Sequence, residues 1–298
     1  MILVTGATGF VGSALLKYLL QIKKPARVLL HPSPQSPKLP VNTSYDVAVS
    51  SFHDPRGMQA SLKGVDTIFH LASAEHSGDH VNLTNTDVIG TEELISAAKK
   101  ARVKRFIFLS HIGADRNSIF PVLKAKALAE SAIQHSGINF SIFRSSILFG
   151  PNDHFTTRIL RALRTNLIFL PVPGDGKVVL QPLWIRDLVT SLVLSIDHEP
   201  TFRNIFDVGG GEYFSLRKII EIIFNKTGKH RILVPVAPAY IRTINLWTGR
   251  KRLDSFFSNT WLDYLVADHT CALDTLPKLF GLLPARFEKH IDYLIKGN

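Results

Sequence analysis

Apolar and polar positions follow two periods along the first half of the chain. Short apolar runs of the kind that form buried strands alternate with stretches whose apolar residues recur at helical spacing. The predicted strands are 1–4, 27–30, 46–49, 66–71, 105–109, 139–143 and 204–208, and the predicted helices are 12–20, 91–101 and 123–135. Such alternation is typical of βαβ units around a parallel sheet. We therefore predict an α/β fold with a doubly wound parallel sheet.

The second half of the chain has a different pattern. Two prolines and two glycines lie close together in 151–181, so that this segment is expected to be loop-rich. From residue 215 the pattern is mainly helical, apart from one apolar run at 232–235. We predict a larger domain at 1–150 that is completed by about 182–210, and a smaller, discontinuous C-terminal lobe made of 151–181 and 211–298.

A glycine-rich turn lies between the first predicted strand and the first predicted helix. Gly6 permits a tight turn, Gly9 allows the backbone to approach a pyrophosphate, and Gly12 lets the helix pack closely on the sheet. The N-terminus of the helix adds free N–H groups and a partial positive charge. This arrangement predicts a Rossmann-type site for a dinucleotide. The predicted contacts in the turn are Gly6, Thr8, Gly9, Phe10, Val11 and Gly12.

The end of the second predicted strand indicates which dinucleotide is preferred. In NAD sites an acidic residue about 20 positions further along binds the ribose hydroxyls. This chain has His31 there, and neither Asp nor Glu occurs before Asp46. A 2′-phosphate would meet no repulsion, and His31, Arg27 and Ser33 are its candidate contacts, although the arginine typical of NADP sites is absent from position 31. We predict NADP(H) in preference to NAD(H).

Charge and cysteine content narrow the classes of partner. The chain has 35 Lys plus Arg against 24 Asp plus Glu, a net charge of +11 that favours anionic partners. No nucleic-acid motif accompanies this charge, so we do not expect nucleic-acid binding. Cys271 is the single cysteine, which excludes an intramolecular disulfide and a multi-cysteine metal site, and we predict no metal site.

The apolar runs are too short to span a bilayer. The stretch 219–224 is among the longest, against the ~20 residues that a membrane-spanning helix needs. The first four residues read as a strand and not as a signal peptide. We therefore expect a cytoplasmic protein, at most peripheral to a membrane.

Further motifs extend nearly from end to end of the chain and resemble those of extended, atypical short-chain dehydrogenases/reductases, the superfamily of nucleotide-sugar epimerases. The motifs are the glycine turn, His70-Leu71-Ala72, Gly90-Thr91, 106–110, Lys126 with Glu130, 144–151, Gly174-Asp175-Gly176, 184–187 and 206–210. Within the superfamily the chain most resembles the branch that contains the nucleotide-binding accessory subunit of respiratory complex I and its bacterial relatives. The resemblance implies that the C-terminal lobe holds the substrate. It also implies further cofactor contacts, at Leu71, Ala72, Ser73, Lys126, Arg144 and Ser145.

The catalytic residues of this superfamily are only partly present. Its enzymes use a Ser that polarises the carbonyl, a Tyr that transfers a proton, and a Lys that lowers the pKa of the Tyr and binds the nicotinamide ribose. Ser110 and Lys126 match the Ser and the Lys, whereas Val122 stands at the Tyr position. No tyrosine lies between 46 and 212, so a shifted phenol from the same helix is excluded.

Other side chains are candidates for the missing proton donor. His111 follows Ser110 directly, and histidine suits the role because its pKa lies near neutrality. Lys124, His76 and His154 are further candidates by their predicted positions.

Two functions compete on these observations. The first is an NADP(H)-dependent oxidoreductase of unusual mechanism that acts on a small molecule, such as a quinone or an isoprenoid-like carbonyl. The second is a non-catalytic protein that holds NADP(H) as a structural or sensing ligand. A sugar-nucleotide epimerase is disfavoured, because that chemistry also relies on the Tyr.

The apolar and basic residues of 237–265 indicate either a helical pair packed on the core or a contact surface for a membrane or a protein.

Overall fold

The computed structural model describes residues 1–34, 39, 45–75, 82–164, 168–248, 259–265 and 267–296. The strands are β1 (Ile2–Thr5), β2 (Ala26–Leu30), β3 (Asp46–Val49), β4 (Thr67–His70), β5 (Arg105–His111), β6 (Asn139–Ser145), β7 (Leu148–Phe149), β8 (Phe169–Pro173), β9 (Val179–Leu180), β10 (Leu183–Trp184), β11 (Asn204–Val208), β12 (Phe214–Ser215) and β13 (Ile232–Val236). The α-helices are α1 (Phe10–Gln21), α2 (Pro55–Ser61), α3 (Gly90–Lys100), α4 (Pro121–Gln134), α5 (Thr156–Arg164), α6 (Ile185–Leu194), α7 (Leu216–Thr227), α8 (Pro238–Thr248), α9 (Asn259–Tyr264), α10 (Thr275–Phe280) and α11 (Tyr293–Lys296). A six-residue π-helix, Thr84–Ile89, leads directly into α3.

Seven strands form one parallel sheet in the order β11-β6-β5-β4-β1-β2-β3. β1 lies between β2 and β4, with Thr5 opposite both Leu29 and His70. The chain moves outward from β1 to β2 on one side, and later returns to β4 on the other. In open α/β sheets ligands bind outside the carboxyl ends of the strands at such a switch point. The predicted Rossmann-type sheet is confirmed, and its switch point lies at the carboxyl ends of β1 and β4.

The chain divides into two compact units. The first comprises Met1–Arg144 and Leu188–Asp207, and the second comprises Ser145–Asp187 and Val208–Asn298. From the sequence we placed the corresponding boundaries at 150, 182 and 210.

Each unit has its own core. In the first, helices and strands surround a cluster that includes Leu3, Ile68, Phe106 and Ile142. In the second, the cluster is built largely on α5 and α7 and includes Phe155, Ile159, Ile220 and Phe287.

The expectation that 151–181 is loop-rich is wrong for its first part, because α5 runs from Thr156 to Arg164. The carboxylate of buried Asp153 accepts the N–H groups of Phe155 and Thr157 and so holds the start of the helix. Buried Ile159 and Leu163 then anchor its apolar side. In the described part of the chain no helix is both long enough and apolar enough to cross a membrane.

Candidate functional site

The glycine turn has two glycines whose missing side chains are required by the fold. Gly6 has φ +68°, and a Cβ there would lie 2.6 Å from the backbone of Leu71 and Ala72. A Cβ on Gly12 would overlap the carbonyl oxygen of Gly6. These two glycines therefore allow β1, α1 and the segment after β4 to approach one another closely.

Gly9 differs from both, since within the described part of the chain a Cβ there would have one close neighbour, the carbonyl oxygen of Gly6, at a tight 3.2 Å. It is also the N-cap of α1 and, being a glycine, offers no side chain to the first N–H groups of the helix. The first turn of α1 contains no acidic residue. The turn thus presents a backbone without a side chain at Gly9 together with the partial positive charge of a helix N-terminus, which fits a pyrophosphate.

Beneath the turn, His70 is fully buried at the end of β4. Its ring stacks on Phe108 at a centroid distance of 5.5 Å and meets the edge of Phe52 at 5.8 Å. Burial, together with the smaller effect of the positive charge of Lys126, lowers the pKa of His70 from 6.5 to about 3. His70 is therefore a neutral imidazole at physiological pH.

The proton positions around this neutral ring follow from its neighbours. Thr91 Oγ1 donates its single proton to the carbonyl oxygen of Asp87 at 2.6 Å, so that it accepts from His70 Nε2 at 2.9 Å. The ring proton then sits on Nε2, and Nδ1 accepts the hydroxyl proton of Thr5 at 2.8 Å. Thr5 Oγ1 in turn accepts the N–H groups of Leu71 and Ala72, each at 3.2 Å. These hydrogen bonds fix the backbone of Leu71 and Ala72, two residues predicted to contact the cofactor.

Asp87, in the π-helix, links that segment to Lys126. Its carboxylate accepts the hydroxyl of Ser73 at 2.6 Å and the N–H of Ala74 at 2.9 Å. The same carboxylate lies 3.4 Å from Lys126 Nζ, and both charged side chains are buried. The ammonium also lies 5.4 Å from the centre of the Phe108 ring. The predicted cofactor lysine is thus fixed by a carboxylate that the sequence analysis did not identify.

Ser110 is buried at the end of β5 and donates its hydroxyl proton to Glu130 at 2.5 Å. Arg144, near the end of β6, donates hydrogen bonds to both oxygens of the same buried carboxylate, from Nη2 to Oε2 at 2.6 Å and from Nε to Oε1 at 3.0 Å and to Oε2 at 3.2 Å. This bonding raises the pKa of Arg144 above its ordinary value. The guanidinium and the serine that were predicted to face a ligand are therefore both bound to Glu130.

His111, the last residue of β5, is half-buried, and its Nε2 lies 2.8 Å from Glu75 Oε2. Val122 is buried in the first turn of α4, so that an apolar side chain occupies the predicted tyrosine position. Lys124 is exposed on the same helix. Of the other candidates, His76 lies outside the described residues, and His154 is half-buried in the second unit.

At the end of β2, His31 and Ser33 are exposed, and His31 Nδ1 lies 2.8 Å from the carbonyl oxygen of Pro32. Arg27 lies near the start of the strand. Its guanidinium donates to the carbonyl oxygens of Ser61 and Lys63 and to Asp46. These bonds hold Arg27 at the far end of β2, so that His31 and Ser33 are the remaining candidates for a 2′-phosphate.

The roles of two acidic residues, Asp87 and Glu130, were not predicted from the sequence. Each pairs with a basic residue that lies at a distance along the chain. Lys126 and Glu130 stand four residues apart on α4, a spacing that often forms a helical ion pair. In the structure the lysine instead pairs with Asp87 and the glutamate with Arg144. Acidic residues within otherwise apolar helical patterns were the available signal.

Comparisons with known proteins agree with this geometry. Residues 6–164 match the sequence model of a family described as NAD(P)H-binding. The NAD(P)H azoreductase of Xenophilus azovorans is 26% identical over 298 residues, covering 96% of this chain and 94% of the relative. The mitochondrial subunit 9 of the NADH dehydrogenase [ubiquinone] 1 alpha subcomplex of Arabidopsis thaliana is 25% identical over 228 residues, covering 74% of this chain. The chain spans only 56% of that subunit.

Among solved structures, the NADPH-dependent quinone oxidoreductase QOR2 of Escherichia coli with bound NADPH has a TM-score of 0.77. It is 16% identical and covers 100% of this chain and 98% of its own, which shows a shared fold.

The fold and the glycine turn define a Rossmann-type dinucleotide-binding protein. The chain belongs to the NAD(P)H-binding family, within an atypical group related to short-chain dehydrogenases/reductases and epimerases. The predicted resemblance to the complex I subunit and to epimerase-like proteins is confirmed.

Proposed function

We propose that the chain is an NADPH-dependent oxidoreductase whose electron acceptor is a quinone or a similar conjugated small molecule. One observation carries this proposal: the Ser110 hydroxyl proton is given to Glu130, while Val122 stands where a tyrosine would transfer a proton. The groups that typically polarise and protonate a simple carbonyl are therefore replaced or already used. An acceptor that needs little acid from the protein fits this site best.

The residues of the first unit suit the parts of such a cofactor. The backbone at Gly9 and the N-terminus of α1 would hold the pyrophosphate. Lys126, fixed by Asp87, would hold the nicotinamide ribose, and His31 with Ser33 would meet the 2′-phosphate. When bound, NADPH supplies the hydride.

The class of acceptor that fits this site depends on how the reduced oxygen obtains its proton after hydride transfer. A quinone that accepts a hydride becomes an oxyanion stabilised by its ring, and this oxyanion takes one proton from water to give the hydroquinone. An alkoxide from a simple ketone is far more basic, and its formation depends on a positioned acid. His111, oriented by Glu75, is the side chain we propose to carry protons between solvent and the acceptor.

The test measures NADPH oxidation with quinones, aldehydes and sugar nucleotides. We expect turnover with quinones and none with sugar nucleotides. Val122→Tyr should raise the rate with a simple aldehyde, by at most ~10²–10⁴-fold, the usual contribution of a general acid. Val122→Phe is the matched control, because it adds the same ring without the hydroxyl and should give no gain. Robust turnover of a sugar nucleotide by the unmodified chain would refute the proposal.

A second candidate function is a protein that holds NADPH without chemistry. The observation in its favour is that Lys126, Ser110 and Arg144 are bound to buried carboxylates in a fully formed network. The similarity to an accessory subunit of complex I points the same way. Tight NADPH binding without turnover of any acceptor on the panel would favour this function.

A further inference from the structure

The second unit contains a two-stranded parallel ribbon, formed by β8 and β13, whose outer face is apolar. Phe169 is paired with Ile232, and Pro171 with Val234. Paired residues of neighbouring strands point to the same side of a sheet. On the inner side Leu170 and Val172 are buried in the core of the unit.

The outer side lacks the polar residues that usually cover a solvent-facing strand. Phe169 is 55% exposed and Ile232 is 56% exposed. Val234, on the same side, is exposed as well. Phe169, Ile232 and Val234 thus present aromatic and aliphatic side chains on one side of the ribbon, which we call the ribbon face.

The chain around the two strands of the ribbon contains few acids. In its described part, the stretches 154–164, 168–174 and 222–248 include no Asp or Glu and seven Lys or Arg residues. Arg161 and Arg164, on α5 before β8, are exposed. Lys226 pairs with Asp292, and Arg242 pairs with Asp263. The described stretches of chain on either side of the ribbon strands thus carry only positive formal charges of their own.

We propose that the ribbon face docks the protein on an anionic lipid bilayer surface. Aliphatic and aromatic side chains enter the boundary between headgroups and acyl chains, while neighbouring Lys and Arg residues are attracted to anionic headgroups. The ribbon face supplies the apolar side chains, and the chain on either side of its strands supplies the cations. This docking does not depend on which electron acceptor the first unit uses.

Other occupants fit these residues less well. A second copy of the chain would bring the same cationic segments and would be repelled. A partner strand added to the ribbon would need backbone N–H groups along its edges, yet Pro171, Pro173 and Pro235 have none. The apolar side chains would add little to binding of a nucleic-acid backbone.

The test is sedimentation of the full chain with vesicles. We expect binding to vesicles of phosphatidylcholine and phosphatidylglycerol, weakened by salt, and little binding to phosphatidylcholine alone. Phe169→Ser with Ile232→Ser should weaken binding roughly tenfold or more, since two apolar side chains no longer enter the bilayer. Ile119→Ser with Leu283→Ser is the matched control, because those residues are more exposed but lie outside the ribbon face.

NADPH affinity and thermal unfolding of each variant show whether it is folded, and neither should change. Equal vesicle binding by the Phe169/Ile232 variant and the unmodified chain would overturn the proposal. Absence of binding to the anionic vesicles would overturn it too. Binding of polyglutamate but not of vesicles, lost in the same variant, would assign the face to an acidic protein and not to lipid.

Discussion

At the scale of single residues, the buried imidazole of His70 has the most definite chemical consequence. Its Nδ1 accepts a hydrogen bond from the hydroxyl of Thr5, and its Nε2 donates one to the hydroxyl of Thr91. A second ring proton would turn Nδ1 into a donor and would place a charge among aromatic rings. Protonation of His70 is therefore incompatible with the folded arrangement.

Stability should consequently depend on pH through His70. Its pKa in the folded chain, about 3, lies below its ordinary 6.5, so between these values the unfolded chain binds one more proton. The stabilisation is complete above the ordinary pKa and is lost as the pH falls toward 3. Across this window His70 should contribute about 1.4 kcal/mol per pH unit to the slope of the unfolding free energy.

Denaturant unfolding at several pH values measures this slope. His70→Gln should lower the slope by that one-proton contribution, whatever its effect on overall stability. His53→Gln is the matched control, because it removes an exposed histidine. Identical slopes for the unmodified chain and His70→Gln would show that the buried ring does not resist protonation.

At the scale of secondary-structure elements, the turn between β1 and α1 separates folding from ligand binding. Gly12 is required for the approach of α1 to the turn, while a Cβ on Gly9 would have one tight neighbour among the described residues, the carbonyl oxygen of Gly6 at 3.2 Å. Two glycines three residues apart thus have different roles.

We expect opposite outcomes for substitutions at these two glycines. Gly9→Val should lower NADPH affinity by roughly tenfold or more, the equivalent of ~1.4 kcal/mol, because the side chain occupies the space proposed for the pyrophosphate. It should lower stability less than Gly12→Ala does, because the contact at Gly9 is the looser of the two. Gly12→Ala, the smallest possible enlargement, should destabilise the fold by about 1–3 kcal/mol through overpacking. Calorimetric titration and thermal unfolding measure both effects, and full NADPH affinity in Gly9→Val would contradict our placement of the site.

The helix α4 shows how elements fix side chains that the sequence alone leaves undetermined. Lys126 is tied to the π-helix through Asp87, and Glu130 is tied to β6 through Arg144. A buried cation or carboxylate strongly favours a partner of opposite charge. Which partner it finds depends on how the strands and helices are arranged in space.

At the scale of the whole molecule, the net charge of +11 and the missing carboxylate after β2 both favour the more anionic cofactor. We expect NADPH to bind more tightly than NADH. His31→Asp should reduce or reverse that preference by roughly tenfold through repulsion of the 2′-phosphate. His31→Asn is the matched control, because it has nearly the same shape without the charge. Equal affinities of the unmodified chain for the two cofactors would contradict this prediction.

The overall architecture was predictable because it depends on periodicity. Largely apolar runs such as Ile2–Thr5 are buried on both faces of the sheet, and a run of consecutive apolar residues indicates this in the sequence. The glycine turn was predictable because its spacing and its position after β1 reflect local geometry. The partners of Lys126 and Ser110 were not, since they come from elements that meet only in the folded chain. The helix α5 was missed because its few apolar positions precede a segment rich in proline and glycine.

The hydrogen bonds of Thr5 couple the nitrogen chemical shifts of the buried His70 ring to the backbone that is predicted to contact the dinucleotide. Thr5 Oγ1 is shared between the His70 ring and the amides of Leu71 and Ala72, the segment predicted to contact the dinucleotide. A shift of that segment alters the hydrogen bond at Nδ1, and with it the nitrogen chemical shifts of His70. Because the ring stays neutral over the usual pH range, its resonances carry little contribution from titration. Nuclear magnetic resonance of ¹⁵N-labelled histidine can therefore follow occupation of the crevice from inside the protein, without a probe attached to the ligand.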